Sequence, residues 1–247
     1  MIFSTKIFNR ERNEKMQIKL TLETNGDFYL PFNYYYPVQS AIFAKLREVG
    51  ASDFFHDEGF GEEKKFKAFV FGRPEGKYET REKNMVFPGG FSIEVRSPLF
   101  SFCDALQRSA EIKSKLRIGD ALLDIVGIGV ANRHINTGHK RFKTNSPVIV
   151  RKTEGGKSFY YSPEDPYFFE GLITNLYSKY ESVTGERCGE ISVRPIGDYR
   201  KVVTRYKNIW ITGYLGSFDV SGPPAALEFI YNTGLGEKNS QGFGMVD

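Results

Sequence analysis

The chain has 247 residues, 40% of them hydrophobic and 26% charged, with a formal net charge of +4. That length suits one large or two small globular domains, and the mild positive charge is compatible with an anionic partner. The two cysteines, Cys103 and Cys188, support neither a disulfide framework nor a zinc site. No run is apolar and long enough to span a bilayer, so no membrane partner and a cytoplasmic location are expected.

Residues 1–15 are polar without alternation and read as an extension, or as a misassigned start ahead of Met16. Ile18, Leu20 and Leu22 then alternate with Lys19, Thr21 and Glu23, the pattern of a strand. Asn25-Gly26 turns the chain. A helix is expected from about Pro37, with Val38, Ala41, Ile42, Lys45 and Leu46 at helical spacing and Gly50 at its end. Ser52 to Asp57 reads as a turn or helix end. Phe66, Ala68 and Val70 give one strand of a hairpin, Gly72 to Gly76 its turn, and the return strand starts at Lys77. Phe91, Ile93 and Val95 alternate in a further strand. Ser97 would cap a helix from Pro98 to Lys115, and Ala121 to Val130 is the last strand of this half.

Strand, helix, strand, strand, helix, strand is the order of a ferredoxin-like unit. The second half repeats it more loosely. Val148 to Val150 begins a strand, Gly155-Gly156 turns it, and Phe159 to Tyr161 returns. Ser162-Pro163 and Asp165-Pro166 open a helix through Leu172, Leu176 and Tyr180. Strands near Ile191–Val193, Val202–Tyr206 and Ile209–Tyr214 follow, then a short helix from Pro223. The fold class expected is α+β, with two tandem ferredoxin-like domains at 16–135 and 148–247 and a linker at 136–147.

The stretch from Gly234 to Gly244 reads GLGEKNSQGFG. Glycine tolerates positive φ and close backbone approach, so such a loop can aim N–H groups at an anion. Lys238 adds charge, and Asn239, Ser240 and Gln241 add neutral donors. Gly234, Gly236 and Gly242 would shape a cradle for a phosphate backbone. The alternative is a tight connection with no ligand. The stretch matches neither the Walker A pattern nor the dinucleotide fingerprint, because a helix precedes it and none follows.

GLGEKNSQGFGMV, SPVIVRK followed by YYSPEDPYF, and TRYKNIWITGYLGSFDVSG together resemble a CRISPR repeat-processing endoribonuclease of the repeat-associated (RAMP) superfamily. The resemblance covers nearly all of the chain after Met16. It implies metal-independent cleavage of precursor guide RNA within each repeat. The 2′-hydroxyl attacks the adjacent phosphorus, leaving a 2′,3′-cyclic phosphate and a 5′-hydroxyl end.

Such chemistry needs proton transfer and a cation for the phosphorane. Imidazole titrates at about 6.5 and suits the first, and lysine suits the second. The resemblance places these roles on His56, in DFFHDEG, and Lys67, in KKFKAFVFG, with no metal ligand and no cofactor. Arg151 and Lys152 are candidate RNA contacts. Where some members carry a tyrosine on the first helix, this chain has Phe43; Ser40 lies one turn earlier, and Tyr34, Tyr35 and Tyr36 precede the helix.

Ordinary structural uses compete with each assignment. Lys67 alternates with Lys65 as on the polar face of a strand, and His134 and His139 sit just before and within the linker. The expected partner is CRISPR repeat RNA, with a multisubunit effector complex as a further one. The competing function is a non-catalytic RNA-binding subunit of such a complex. A remoter one is an unrelated RNA-binding protein with tandem ferredoxin-like domains.

Overall fold

The computed structural model describes residues 16–51, 55, 59–62 and 65–247. His56 and the 1–15 extension therefore lie outside the described residues. The first half runs β1 (Gln17–Glu23), β2 (Phe28–Pro31), α1 (Tyr35–Glu48), β3 (Val70–Phe71), β4 (Glu79–Arg81), β5 (Asn84–Phe87), β6 (Gly90–Arg96), α2 (Phe100–Ile112), β7 (Lys115–Ile118) and β8 (Ala121–Ala131). Its main sheet has the order β3-β6-β1-β8-β7, and β2-β5-β4 form a small second sheet. The run β3-β6-β1-β8 is the ferredoxin order, with the first strand central and flanked by the third and fourth.

Period-two alternation puts Ile18, Leu20 and Leu22 on the buried face of β1, under Val38, Ile42 and Leu46 of α1 and Phe102 and Leu106 of α2. Buried Lys45 fixes the end of α1, donating to the Lys113 carbonyl at 2.8 Å and pairing with Glu48 at 2.7 Å.

Local chemistry moves three boundaries. α1 starts at Tyr35, ahead of Pro37, which falls within its first turn. Ser97 does not cap α2; its Oγ accepts the Leu99 N–H and donates to the Ala68 carbonyl, and the helix starts at Phe100. The strand expected from Phe66 to Val70 shrinks to Val70–Phe71, because Ala68 takes a left-handed φ of 49° that breaks the pleat.

The second half runs β9 (His139–Lys143), β10 (Arg151–Glu154), β11 (Lys157–Tyr160), α3 (Pro166–Thr184), β12 (Ser192–Tyr206), β13 (Ile209–Ser221), α4 (Pro224–Thr233) and a 3₁₀ turn at Asn239–Gln241. Its sheet has the order β12-β13-β9. Val246 bridges Thr144, which follows β9. Asp247 and Lys143 exchange backbone hydrogen bonds at 2.9 and 3.3 Å. The segment at 245–247 thus takes the fourth-strand place, and the ferredoxin order recurs. β9 lies inside 136–147, the stretch read above as a linker. The strands expected at Val202–Tyr206 and near Ile191 are parts of one 15-residue strand, β12, whose register to β13 shifts between Ile196 and Arg200. Asp165 caps α3 by accepting the Tyr167 N–H, and Gly185, at φ 76°, ends it.

Arg96, 2% exposed, stitches the halves at one side. From β6 its guanidinium donates to Glu94, to the Val246 carbonyl at 2.6 Å and to Asp247 at 2.7 Å. It also lies 3.8 Å from the centre of the Tyr231 ring.

Candidate nucleic-acid interface

On the other side the halves leave a cavity of about 610 Å³ between them. One wall is a single face of α1, carrying Tyr36, Gln39, Ser40, Phe43 and Arg47 at helical spacing. A second is the irregular segment from Lys65 to Phe69. The glycine loop from Gly236 to Gln241 and α3, through Asn175 and Lys179, form a third. Tyr206 and Lys207, at the tip of the β12–β13 hairpin, close over the top. Seven lysines and arginines line this space, and Glu237 is the one acid among the described lining residues, so the field inside favours an anion.

The loop is held by its own backbone and by side chains from three directions. The amides of Gly234, Leu235, Glu237, Gln241, Gly242, Phe243 and Gly244 donate to protein carbonyls. Those amides are spent inside the protein and cannot join a nest of loop N–H groups aimed at one anion. The glycines serve close packing. A Cβ on Gly244 would sit 1.9 Å from the Leu235 carbonyl, and one on Gly242 2.5 Å from the Phe71 ring. Gly234 and Gly242 do not line the cavity; Gly236 does.

Lys179, 3% exposed, donates to the Gly234 carbonyl at 2.7 Å and to Asn239 Oδ1 at 2.8 Å. Asn239 Nδ2 in turn holds the Leu235 and Phe243 carbonyls, both at 3.0 Å. Phe243 stacks on Tyr35 of α1 with ring centres 4.2 Å apart. Lys238, in the left-handed region at φ 60°, extends Nζ to within 3.4 Å of Gln241 Oε1.

The remaining expected residues divide. Lys67, half-buried, lines the cavity, although it is not on a strand. Arg151 lines it too and pairs with Glu237 at 3.0 Å. Lys152 does not line it; it points along the exposed β10–β11 hairpin and pairs with Glu154 at 2.5 Å. Phe43 packs edge-on against Phe69, with ring centres 5.6 Å apart. His134 and His139 lie near Glu228 and Asp219, away from the cavity. Among the described residues no group of three or more His, Cys, Asp or Glu side chains is placed to hold a metal.

The sequence reading missed Gln39, Lys179 and Tyr206. Burial, with a smaller effect from neighbouring Tyr36, pushes the Tyr206 phenol up to about 12, so it is a protonated donor at ordinary pH. A usable signal existed for Lys179. It interrupts the apolar stripe Leu172, Leu176, Tyr180 and Val183 of α3, where a charge must find a buried partner.

The family profile described as "CRISPR associated protein Cas6, C-terminal" matches residues 130–247. The chain is 30% identical to "CRISPR-associated endoribonuclease Cas6 1" of Methanocaldococcus jannaschii, over 94% of this chain and 92% of that protein. It is 28% identical to "Putative CRISPR-associated endoribonuclease-like protein Cas6nc" of Pyrococcus horikoshii, over 94% and 98%. Among solved structures, a Cas6-related protein from Pyrococcus furiosus superimposes with a TM-score of 0.82 at 23% identity, covering 94% of this chain and 98% of that one.

Proposed function

Because the chain belongs to the Cas6 family of CRISPR-associated proteins, we propose that it is an endoribonuclease that cuts CRISPR repeat RNA in precursor transcripts. The observation that carries this is the cavity between the halves: basic, walled by α1, the 65–69 segment and the glycine loop, and open to an extended polyanion. RNA bound there would meet lysine and arginine side chains at its phosphates. Tyr36, exposed in the cavity wall, could meet its bases.

The reaction is an internal transesterification. The 2′-hydroxyl gives up its proton, its oxygen bonds to phosphorus, the bond from phosphorus to the 5′-oxygen breaks, and that oxygen takes a proton. His56 is assigned the proton transfer. Lys67, in the cavity wall, is assigned the negative charge that builds on the phosphorane. Lys238, Ser240, Gln241 and Arg151 bind and orient the RNA, while Asn239, whose amide is spent on Lys179 and the Leu235 and Phe243 carbonyls, holds the shape of the loop. No metal ion takes part in this scheme.

Incubation with repeat RNA in EDTA tests it. The expected products end in a 2′,3′-cyclic phosphate and a 5′-hydroxyl, and a single 2′-deoxy nucleotide at the cut stops the reaction. Cleavage that requires added magnesium would overturn the scheme. Tight binding without cleavage would favour the second reading, an RNA-binding subunit of an effector complex. The packing of Phe43 on Phe69 favours that second reading, because it leaves α1 without a hydroxyl at that point.

A further inference from the structure

Three elements distant in sequence meet at one amide in the cavity wall. Gln39 of α1, 9% exposed, donates from Nε2 to the Ser240 carbonyl at 2.8 Å. Its Oε1 accepts from the Tyr206 hydroxyl at the hairpin tip. The partners are 201 and 167 residues away from Gln39 in the chain. A carbonyl oxygen only accepts, so Ser240 fixes which end of the amide faces it. The opposite end must then present oxygen to the phenol, and the phenol must donate. The direction of the relay is set throughout.

The same contacts hold the hairpin. Tyr36 meets the Tyr206 ring edge-on at 5.8 Å, and Lys207 Nζ sits 4.7 Å from the Tyr36 ring centre. Tyr206 is 8% exposed, although the hairpin strands beside it leave Val203, Ile209 and Trp210 more than half exposed. Tyr206 is docked, while Lys207 and Asn208 of the turn and the strand residues beside it are exposed.

We propose that Tyr206 and Gln39 are positioning residues of the ribonuclease, a relay that latches the hairpin tip to α1 and holds the Lys238–Gln241 turn at the mouth of the cavity. This rests on the reading under Proposed function. Neither side chain is assigned to the reacting phosphate. The phenol acts on the loop only through the amide, so its removal frees Gln39 to rotate and releases Ser240. Lys238 and Gln241, two residues before and one after Ser240, would then lose their fixed place over bound RNA.

The test is a double-mutant cycle of Tyr206→Phe and Gln39→Met, read by amide hydrogen exchange in RNA-free protein and by single-turnover cleavage of repeat RNA. Each single change should speed exchange of the Leu235–Gly244 amides about tenfold, with α2 amides unchanged as the control for folding. Cleavage at saturating RNA should fall by a similar factor. The double variant should be no worse than Gln39→Met alone. Unchanged loop exchange in both single variants, or additive effects in the double, would overturn the relay. A wild-type protein that does not cut repeat RNA would sink the ribonuclease reading, and the exchange cycle would still decide the relay by itself.

Discussion

The two seams between the halves use the same kind of charge in opposite ways. At the Arg96 seam the guanidinium is buried, and each direction it points holds an oxygen or a ring: Glu94, the Val246 carbonyl, Asp247 and the Tyr231 face. At the cavity seam lysines and arginines surround a solvent-filled space whose one described acid, Glu237, is already paired with Arg151. Burying a charge is costly unless its partners are supplied. The first seam supplies them from the chain and closes. The second leaves room for an anion that brings its own negative charge. One seam is glue and the other, in the function proposed above, a receptor, and the counter-charge separates them.

The contrast can be broken from either side. The largest expected effect is on the open seam: His56→Ala should slow single-turnover cleavage by roughly 10²–10⁴-fold, the range for a positioned acid or base, with little change in RNA affinity. A folded variant that cuts at the wild-type rate would remove His56 from the chemistry. At the closed seam, Arg96→Met strands Glu94 and the Val246 carbonyl, and should cost about 3–5 kcal/mol in urea unfolding. RNA affinity of the folded fraction should be unaltered; a selective loss of RNA binding would place Arg96 in the receptor instead.

Smaller effects sharpen the division. Gly244→Ala puts a methyl group into the Leu235 carbonyl at a backbone φ of 76°, so a stability loss of about 2 kcal/mol is expected with loosened RNA binding. Thermal unfolding beside filter binding reads both. Replacing Gly242 by a β-branched residue should act in the same way, through the Phe71 ring, and so on folding as well as on RNA. Lys238→Gly keeps the left-handed backbone free of strain while deleting the charge. RNA binding should weaken several-fold, with a salt slope shallower by about one. An unchanged slope would show that Lys238 contacts no phosphate.

Much of the fold was legible because it is written in local patterns. The β1 alternation, the Asp165-Pro166 helix start and the Gly155-Gly156 turn each depend on a few neighbouring residues. What escaped was set at long range or by a single odd dihedral. Ala68 in the left-handed region shortens a strand whose pattern looked regular. β7 was not expected at all: the helix was read as far as Lys115, where β7 begins, and a four-residue strand with only Leu116 and Ile118 buried carries too short a pattern to stand out. In the site, the glycine loop with Lys238, and Lys67 and Arg151, were found from the sequence, while Arg47, Lys179 and Lys207 join them only through the folded chain. The roles of the glycines were not legible, because only the packed structure shows that Phe71 and the Leu235 carbonyl occupy the space a side chain would need.

The way the second sheet is closed carries a consequence for how the protein comes into being. Met245 meets Ser146 across 99 residues of chain, and Ser240 meets Gln39 across 201. Contacts of such separation form late, since the entropy of closing a long loop must be met before they contribute. The first half is translated before the glycine loop, and its Arg96 and Tyr35 wait for partners at Val246, Asp247 and Phe243. The cavity is walled by both halves and exists only when the loop at 236–241 is in place. A chain lacking that loop has the basic residues of the first half but not the walled space that gathers them.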